Sequence, residues 1–283
     1  MRMYGESVRV TLLGTGDTTG TPTVGCTCDT CETARQRDIS RTRFAVHVEN
    51  ERTGEGLLVD FSPDFRQQFL ATDVSLPDEA LVTHIHFDHL DGLGNSYRLF
   101  DQIPVHAAAE TDPETGESVA ETIRRKYAYL RDRIDVAGHT PNEAFTACGL
   151  EVTLAPVDHP PLVSYGVAIE DPETGAKLAI SGDTNYAIPD RSREILHDPD
   201  LLLADGIVPA KFCDKHPIGG RHFDDTGTAL TFAGKHMTRE GALALGDDLD
   251  ASQTRIVHVA HYYPADEAFA DSLAVDGEQY LLK

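Results

Sequence analysis

The stretch THIHFDHLDG, residues 83–92, restricts this chain more than any other, because four metal-ligating side chains fall within six positions. His84, His86, Asp88 and His89 follow the apolar run ALV, which predicts a short buried strand. In an extended segment, residues two apart point to the same side, so the first two histidines can converge on one metal ion. The chain then turns towards a helix, which lets Asp88 and His89 face a second ion. Imidazole and carboxylate donors suit Zn²⁺, Mn²⁺ or Fe²⁺, and two such ions form a known hydrolytic arrangement.

Three further donors close apolar runs later in the chain: His159 in APVDHPP, Asp183 in AISGDT and His258 in RIVHVAH. A single histidine at the end of a strand is most often an ordinary polar residue with a hydrogen-bond partner. Here the three donors follow the 83–92 motif in order, and each ends a predicted strand. The pattern therefore favours a ligand role for all three.

Short apolar strands alternate with helical stretches along the sequence, and this predicts a mixed α/β protein. Two β-rich halves with helices outside suggest a four-layer α/β/β/α sandwich. Helices are expected at PDFRQQFLAT, ETIRRKYAYLRDR, TGTALTFAGK and TREGALALGDDL, a hairpin turn at PETG, and a loosely patterned acidic tail after the last core strand, TRIVHVAH. No low-complexity linker divides the sequence, so we expect residues 1–283 to form a single domain.

The 83–92 motif, with the strand and GTG turn that precede it, resembles the metallo-β-lactamase-fold hydrolases, whose hallmark is H-x-H-x-D-H. The resemblance covers most of the chain, because the later ligand positions of that family match in order, and it implies two mixed sheets flanked by helices. It further implies two divalent metal ions, zinc or manganese, with a bridging hydroxide as the nucleophile. The implied ligands are His84, His86 and His159 on one ion, Asp88, His89 and His258 on the other, and Asp183 between them.

The stretch GTGDTTGTPTVGCTCDTC, residues 14–31, narrows this resemblance. A GTG turn followed by C-x-C-x-x-C looks like the branch that contains the PhnP-type phosphodiesterase of phosphonate degradation. In that branch, three cysteines bind a structural zinc together with a histidine three residues after the last active-site ligand. The implied zinc ligands are Cys26, Cys28, Cys31 and His261, which would form a closed tetrahedral site.

The residues alone leave alternatives open for this cluster. Cys148 or Cys213 could supply a fourth thiolate in place of a histidine. A redox role is also conceivable, although nothing beside the cluster marks a reactive thiol. His258 and His261 could exchange roles; His258 is assigned to the dinuclear site because the family pattern places it first.

The same branch implies that His236, in AGKHMTREGALAL between two predicted helices, lines the active site and serves as a general acid or steadies the transition state. A histidine with a near-neutral pKa suits protonation of an alkoxide leaving group. Asp88 and His236 are therefore the predicted catalytic residues. Positions that could contact substrate are His216, His222, Arg124, Arg125 and Lys126. No role is predicted for His47, His106, His139 or His197.

Together these features predict a dinuclear metal phosphodiesterase that hydrolyses a small or cyclic phosphodiester, and the branch suggests a homodimer. One alternative is a tRNA 3′-processing endonuclease, which shares the fold and the ligand pattern. Another is a metal-binding protein of cofactor assembly, because the pyrroloquinoline-quinone biosynthesis branch also carries C-x-C-x-x-C.

Composition adds constraints on habitat and partners. Forty-seven acidic residues stand against 24 basic ones, of which only six are lysines, and the net charge is −23. The acids are spread over loops, as expected of a halophilic protein in which salt screens the repulsion between like charges. They argue against binding nucleic acid through a broad surface.

Five irregularly spaced cysteines do not resemble a disulfide framework. No apolar run reaches membrane-spanning length and MRMYGESVRV lacks a signal-peptide pattern, so a cytoplasmic location without membrane contact is expected.

Overall fold

The computed structural model describes residues 7–283; the first six residues, which entered the signal-peptide prediction, lie outside it. The strands are β1 (Val8–Gly14), β2 (Ala45–Asn50), β3 (Glu55–Val59), β4 (Glu79–Val82), β5 (Ile103–Ala108), β6 (Ile134–His139), β7 (Ala144–Ala147), β8 (Leu150–His159), β9 (Leu162–Glu170), β10 (Lys177–Ile180), β11 (Leu201–Asp205), β12 (Gly220–Phe223), β13 (Ala229–Phe232), β14 (His236–Met237), β15 (Thr254–Val257) and β16 (Gln279–Leu282). The helices are α1 (Asp29–Arg37), α2 (Phe65–Ala71), α3 (Phe87–Leu90), α4 (Ser96–Leu99), α5 (Val119–Lys126), α6 (Asp190–Leu196), α7 (Ala210–Cys213) and α8 (Arg239–Asp248).

Two mixed sheets organise the fold. The first has seven strands in the order β16-β1-β2-β3-β4-β5-β6, and the second has six in the order β15-β11-β10-β9-β8-β7. Strands β3 to β6 run parallel in the first sheet, as do β10, β11 and β15 in the second, while the remaining pairs are antiparallel. The segment with PETG joins β9 to β10 as an antiparallel hairpin, which confirms the predicted turn.

Alternating side chains of β11 show how the layers are held together. Leu201 and Leu203 pack in the cluster that joins both sheets, whereas Leu202 and Ala204 pack on the opposite face with Leu245 of α8. A strand with apolar residues on both faces must lie between two layers. The fold is thus the expected mixed α/β arrangement, with helices outside two facing sheets.

The helices are short and follow the predicted pattern in part. The helix expected at ETIRRKYAYLRDR begins at Val119 after a capping box, in which Ser118 and Glu121 each accept a hydrogen bond from the other's backbone. It ends at Lys126, and a 3₁₀ turn follows at Ala128–Leu130. Among residues 7–283, no helix is long and apolar enough to cross a membrane.

Two predictions about the second half were wrong. TGTALTFAGK, residues 226–235, is not a helix but contains β13, which pairs with β12 and β14 in a third small sheet. Gly227 and Gly234 both have positive φ, at 85° and 75°, so turns at each end limit the segment to a short strand. The acidic tail is not loosely patterned throughout, because β16 pairs with β1 and extends the first sheet.

Candidate metal centre

The first donor group forms where β4 and β8 end. After β4 the chain stays extended through the histidines and then enters α3, so His84 Nε2 lies 2.9 Å from His86 Nδ1. His159, the last residue of β8, brings its Nε2 within 3.3 Å of the same Nδ1 atom. Asp183 follows β10, and its Oδ2 is 3.8 Å from His84 Nε2. Donor atoms of these four residues all lie within 4.8 Å of one another.

A second donor group lies on the other side of Asp183. Asp88 and His89 come from α3, and His258 follows β15 in a left-handed conformation, with φ of 57°. Asp88 Oδ2 is 3.6 Å from His89 Nε2 and 3.7 Å from His258 Nε2. The Oδ2 atom of Asp183 is 3.4 Å from the first nitrogen and 3.3 Å from the second. Asp183 therefore faces both groups.

Two buried carboxylates that sequence reasoning missed orient the histidine rings. Asp60 Oδ2 accepts a hydrogen bond from His89 Nδ1 at 2.6 Å and also binds Thr83. Asp205 Oδ2 accepts one from His236 Nδ1 at 2.8 Å, and its other oxygen is 3.8 Å from His258 Nδ1. Both residues close apolar strands, as Asp183 does, so the signal used for Asp183 could have found them.

The donor atoms themselves fit divalent metal ions. His89 Nε2 and His258 Nε2 are buried, and within residues 7–283 neither has a hydrogen-bond partner. Burial lowers the pKa of His159 to about 3, which keeps its imidazole neutral and able to ligate. Burial disfavours charge on His258, but the carboxylates of Asp183, Asp88 and Asp205 together outweigh it and raise the pKa of His258 to about 9. A site that attracts protons so strongly offers the negative charge that a cation requires.

His236 lies beside both groups rather than between two helices as predicted. It is on β14, directly before α8, and its ring centroid is 4.7 Å from that of His159 and 5.0 Å from that of His258. Its donor atom also lies within 4.8 Å of donor atoms from Asp183 and His258, so it could ligate as well as transfer a proton.

The three cysteines meet His261 as the resemblance implied. The Sγ atoms of Cys26, Cys28 and Cys31 lie 3.5, 3.4 and 3.6 Å from His261 Nδ1. The four donors lie within 4.8 Å of one another and could hold one metal ion. Within the described part of the chain, the group includes neither Cys148 nor Cys213, which are buried elsewhere.

The N-terminal loop connects this cysteine cluster to the dinuclear donors. The hydroxyl of Thr18 donates a hydrogen bond to Asp88 Oδ2, with 2.8 Å between the two oxygens. Asp17, one residue earlier, accepts hydrogen bonds from the backbone of Thr19 and Gly20 and holds the turn. The loop therefore contacts a predicted catalytic residue as well as carrying the cysteines.

The basic residues of α5 are bound to the protein's own groups. Arg124 donates to the carbonyl of Val136, Arg125 pairs with Glu117 at 2.8 Å, and Lys126 pairs with Asp91. The remaining histidines lie apart from the donor groups: His47 is buried in β2, His106 and His139 hydrogen-bond each other, His197 pairs with Asp250, His216 stacks on Phe212, and His222 bonds Thr231.

Two facing mixed sheets carry histidine and aspartate donors at their strand ends, which defines a mixed α/β protein with a candidate metal centre. The sequence matches the Beta-lactamase superfamily domain over residues 56–259, which is more than half of the chain. The chain belongs to this family.

Curated relatives include an octanoyltransferase of Porphyromonas gingivalis, 26% identical over 265 residues, covering 91% of this chain and 47% of the relative. Ribonuclease Z of Mycobacterium avium is 28% identical over 150 residues, covering 46% of this chain and 53% of the enzyme. The chain thus spans about half the length of the curated relatives it matches.

Similar solved structures cover nearly the whole chain. A diphosphatase from the PhnP family superposes with a TM-score of 0.73 at 25% identity, covering 98% of both chains. Zn²⁺-bound PqqB from Methylobacterium extorquens has a TM-score of 0.73 at 20% identity, covering 96% of this chain and 99% of that one. At that level of identity, the second likeness concerns the fold alone.

Proposed function

We propose that this protein is a phosphodiesterase that hydrolyses a small or cyclic phosphodiester at a dinuclear metal site. The observation that carries the proposal is the position of Asp183, whose Oδ2 lies 3.3–3.8 Å from nitrogens of both donor groups. One carboxylate shared by two histidine-rich groups suits two cations placed side by side. The likeness to a PhnP-family diphosphatase supports cleavage of a phosphorus–oxygen bond.

The proposed ligands divide as the donor groups do. His84, His86 and His159 would hold one ion, Asp88, His89 and His258 the other, and Asp183 both. When bound, the ions would supply Lewis-acid chemistry: a more acidic water and neutralisation of charge on phosphoryl oxygens.

The protein's own residues orient the histidine rings and supply the proton for the leaving group. Asp60 accepts a hydrogen bond from His89 Nδ1, and Asp205 accepts one from His236 Nδ1. The Nε2 atom of each ring therefore faces the site. In hydrolysis, the oxygen of water adds to phosphorus and the water releases one proton to solvent, one ester P–O bond breaks, and the leaving oxygen takes up a proton. A His236 ring protonated on both nitrogens is the proposed source of that proton through Nε2, because the side chain is 14% exposed and lies beside both donor groups.

We further propose that Cys26, Cys28, Cys31 and His261 hold a structural zinc. Three sulfurs and one imidazole nitrogen leave no open position for substrate on a tetrahedral ion. The ion would join the N-terminal loop to the segment after β15, and the same loop carries Thr18 to Asp88. Its contribution to catalysis would therefore be indirect.

Ribonuclease Z activity is the second candidate, favoured by the 28% identity to that enzyme over 150 residues. The net charge of −23 opposes it, because a polyanion such as tRNA is bound mainly through lysine and arginine contacts to phosphate.

The test is hydrolysis of bis(p-nitrophenyl) phosphate and of cyclic phosphates at high KCl, with Mn²⁺ or Zn²⁺ added. We expect turnover that Asp183→Ala abolishes while circular dichroism stays unchanged and less metal is retained. The control Asp190→Ala, at an exposed position of α6, should keep full activity. Absence of turnover with two ions bound and pre-tRNA uncut would overturn the proposal, whereas cleavage of pre-tRNA alone would favour ribonuclease Z.

A further inference from the structure

One segment beside the dinuclear site has no part in the chemistry proposed above except at its last residue. The arm, defined as residues 210–236, contains α7 and the strands β12 and β13, and ends where β14 begins. Phe232 of β13 pairs directly with His236 of β14, so their side chains lie on the same face of the hairpin. Side chains on this face of the arm are therefore neighbours of the proposed proton donor.

Phe232 belongs to a cluster of four aromatic rings that leads away from His236. Its ring centroid lies 5.7 Å from that of Phe212 and 5.1 Å from that of His216. Phe212 in turn stacks on Tyr262 at 5.0 Å and 24°. Tyr262 is 50% exposed and the other three are half-buried, so the cluster keeps an aromatic surface open to solvent. Such surfaces bind planar heterocycles by stacking and edge contacts.

The arm also concentrates positive charge within an acidic molecule. Three of the six lysines, Lys211, Lys215 and Lys235, lie in it together with Arg221. Lys211 pairs with Glu267. In the part of the chain that the structure describes, Lys215, Arg221 and Lys235 take part in no ion pair. Unpaired cations in a chain with twice as many acids as bases point to an anionic ligand.

One of these cations, Lys235, belongs to a residue that contacts the first donor group, and Arg221 lies beside its neighbour Gly234. A β-carbon at Gly234 would lie 3.0 Å from Arg221 Nη1, which places the guanidinium beside the residue before Lys235. The carbonyl of Lys235 is 3.0 Å from His159 Nδ1. The backbone of Lys235 is therefore in contact with a residue of the first donor group, and the guanidinium of Arg221 lies beside the preceding residue.

We propose that the arm recognises nucleoside phosphodiesters, with the nucleobase against the aromatic cluster and a phosphate against Arg221 and Lys235. This inference rests on the proposed phosphodiesterase function and specifies its substrate class. A phosphodiester without a nucleobase binds through its phosphate alone. The arm therefore gives selectivity for the nucleoside rather than chemistry at phosphorus.

The test compares kcat/KM for 2′,3′-cyclic AMP with that for glycerol 1,2-cyclic phosphate. The wild type is expected to prefer the nucleotide at least tenfold. Phe212→Leu, which keeps apolar volume but removes the ring, should reduce that preference about tenfold. The control Tyr129→Leu removes a ring that is 63% exposed and lies outside the arm, and should leave the preference unchanged.

A matched pair of charge variants tests the phosphate contact. Lys235→Gln should lower kcat/KM for 2′,3′-cyclic AMP about fivefold, mainly through KM, because one phosphate contact is lost. Lys177→Gln, whose ammonium donates to the carbonyl of His197 instead, should have no effect. Equal use of both substrates by the wild type, or an unchanged preference in Phe212→Leu, would overturn the inference.

A binding experiment distinguishes failure of the proposed phosphodiesterase function from failure of the arm as a nucleotide site. Fluorescence anisotropy of a fluorescent AMP analogue needs no turnover, and wild-type binding that Phe212→Leu weakens about tenfold supports the arm as a nucleotide site even in an inactive protein. No AMP binding, or equal binding by both proteins, would overturn it.

Discussion

The hydroxyl of Thr18 donates a hydrogen bond to Asp88 Oδ2 over 2.8 Å, although 70 residues separate the two positions in the sequence. Asp88 also faces His89 and His258, so the hydroxyl fixes one oxygen of a proposed metal ligand from outside the donor set. The N-terminal loop thereby takes part in the geometry of the site, not only in the stability of the fold.

Thr18→Val should lower kcat about three- to tenfold with little change in thermal stability. The substitution keeps the branched shape but removes a hydrogen bond to a carboxylate, and the residue is exposed, so the effect lies at the low end for such bonds. Thr19→Val is the matched control, because its hydroxyl bonds Asp17 within the loop instead. Equal losses in both variants would show that loop stiffness, not the contact with Asp88, matters.

Asp205→Asn should lower kcat about 10- to 100-fold while the protein stays folded, because the neutral amide oxygen is a weaker acceptor than the carboxylate for the Nδ1–H that orients the ring of His236. The double variant with His236→Ala tests the coupling. If Asp205 acts largely through His236, the combined loss will be much smaller than the product of the two single losses. A fully multiplicative loss would instead assign Asp205 to His258, whose Nδ1 lies 3.8 Å away.

Cys28→Ser should remove about one zinc ion per chain and lower the thermal midpoint by more than about 5 °C, because a closed metal site contributes directly to folding. Zinc content by mass spectrometry and a melting curve measure both effects. Cys148→Ala serves as the control, since this buried cysteine lies outside the cluster. Unchanged zinc content in Cys28→Ser would contradict the structural-zinc assignment.

His47 should make the protein sensitive to acid. Burial lowers its pKa to about 4, and its Nε2 lies against Gly56 without a hydrogen-bond partner among residues 7–283. Because the unfolded chain takes up this proton below pH 6.5 and the folded chain only near pH 4, stability is complete above pH 6.5. The free energy of unfolding falls by about 3 kcal/mol as the pH falls to 4.

His47→Leu should remove the part of the acid destabilisation that comes from protonation of His47. The free energy of unfolding, measured in urea between pH 7 and 4.5, should fall less steeply in the variant than in the wild type. Parallel curves for the two proteins would show that His47 does not titrate on unfolding.

The urea midpoint should rise with KCl and flatten between about 0.5 and 1 M if screening of the −23 charge is the cause, because the Debye length is then only about 3–4 Å. A midpoint that keeps rising to 3 M would indicate cation binding or solute exclusion instead. Full stability and activity in dilute buffer, without any gain from KCl, would contradict adaptation to high salt.

The site was predictable from the sequence where its signals are local. The spacing of His84 to His89 and of Cys26 to Cys31 is contained within six residues each, and the strand periodicity before them indicates their placement. Asp60 and Asp205 share the strand-end position of Asp183, but their role as acceptors for His89 and His236 depends on contacts that only the fold shows.

The arm was mispredicted for a related reason. The spacing of apolar residues in TGTALTFAGK fits one turn of helix as well as one short strand, and pairing with β12 and β14 decides between them. The pairing partners lie 6 to 12 residues before the β13 residues that they face and 4 to 6 residues after them, and they leave no periodic signal within the segment itself.

The contacts of β16 and His261 have a consequence for synthesis on the ribosome. One edge of β1 stays unpaired until Leu282 has emerged, and the thiols of residues 26–31 wait for a histidine about 230 positions later. Contacts this distant in sequence form late, and the interval leaves an open strand edge and three thiols exposed to association and oxidation. The nascent chain should therefore depend on chaperones and a reducing environment more than the finished protein does.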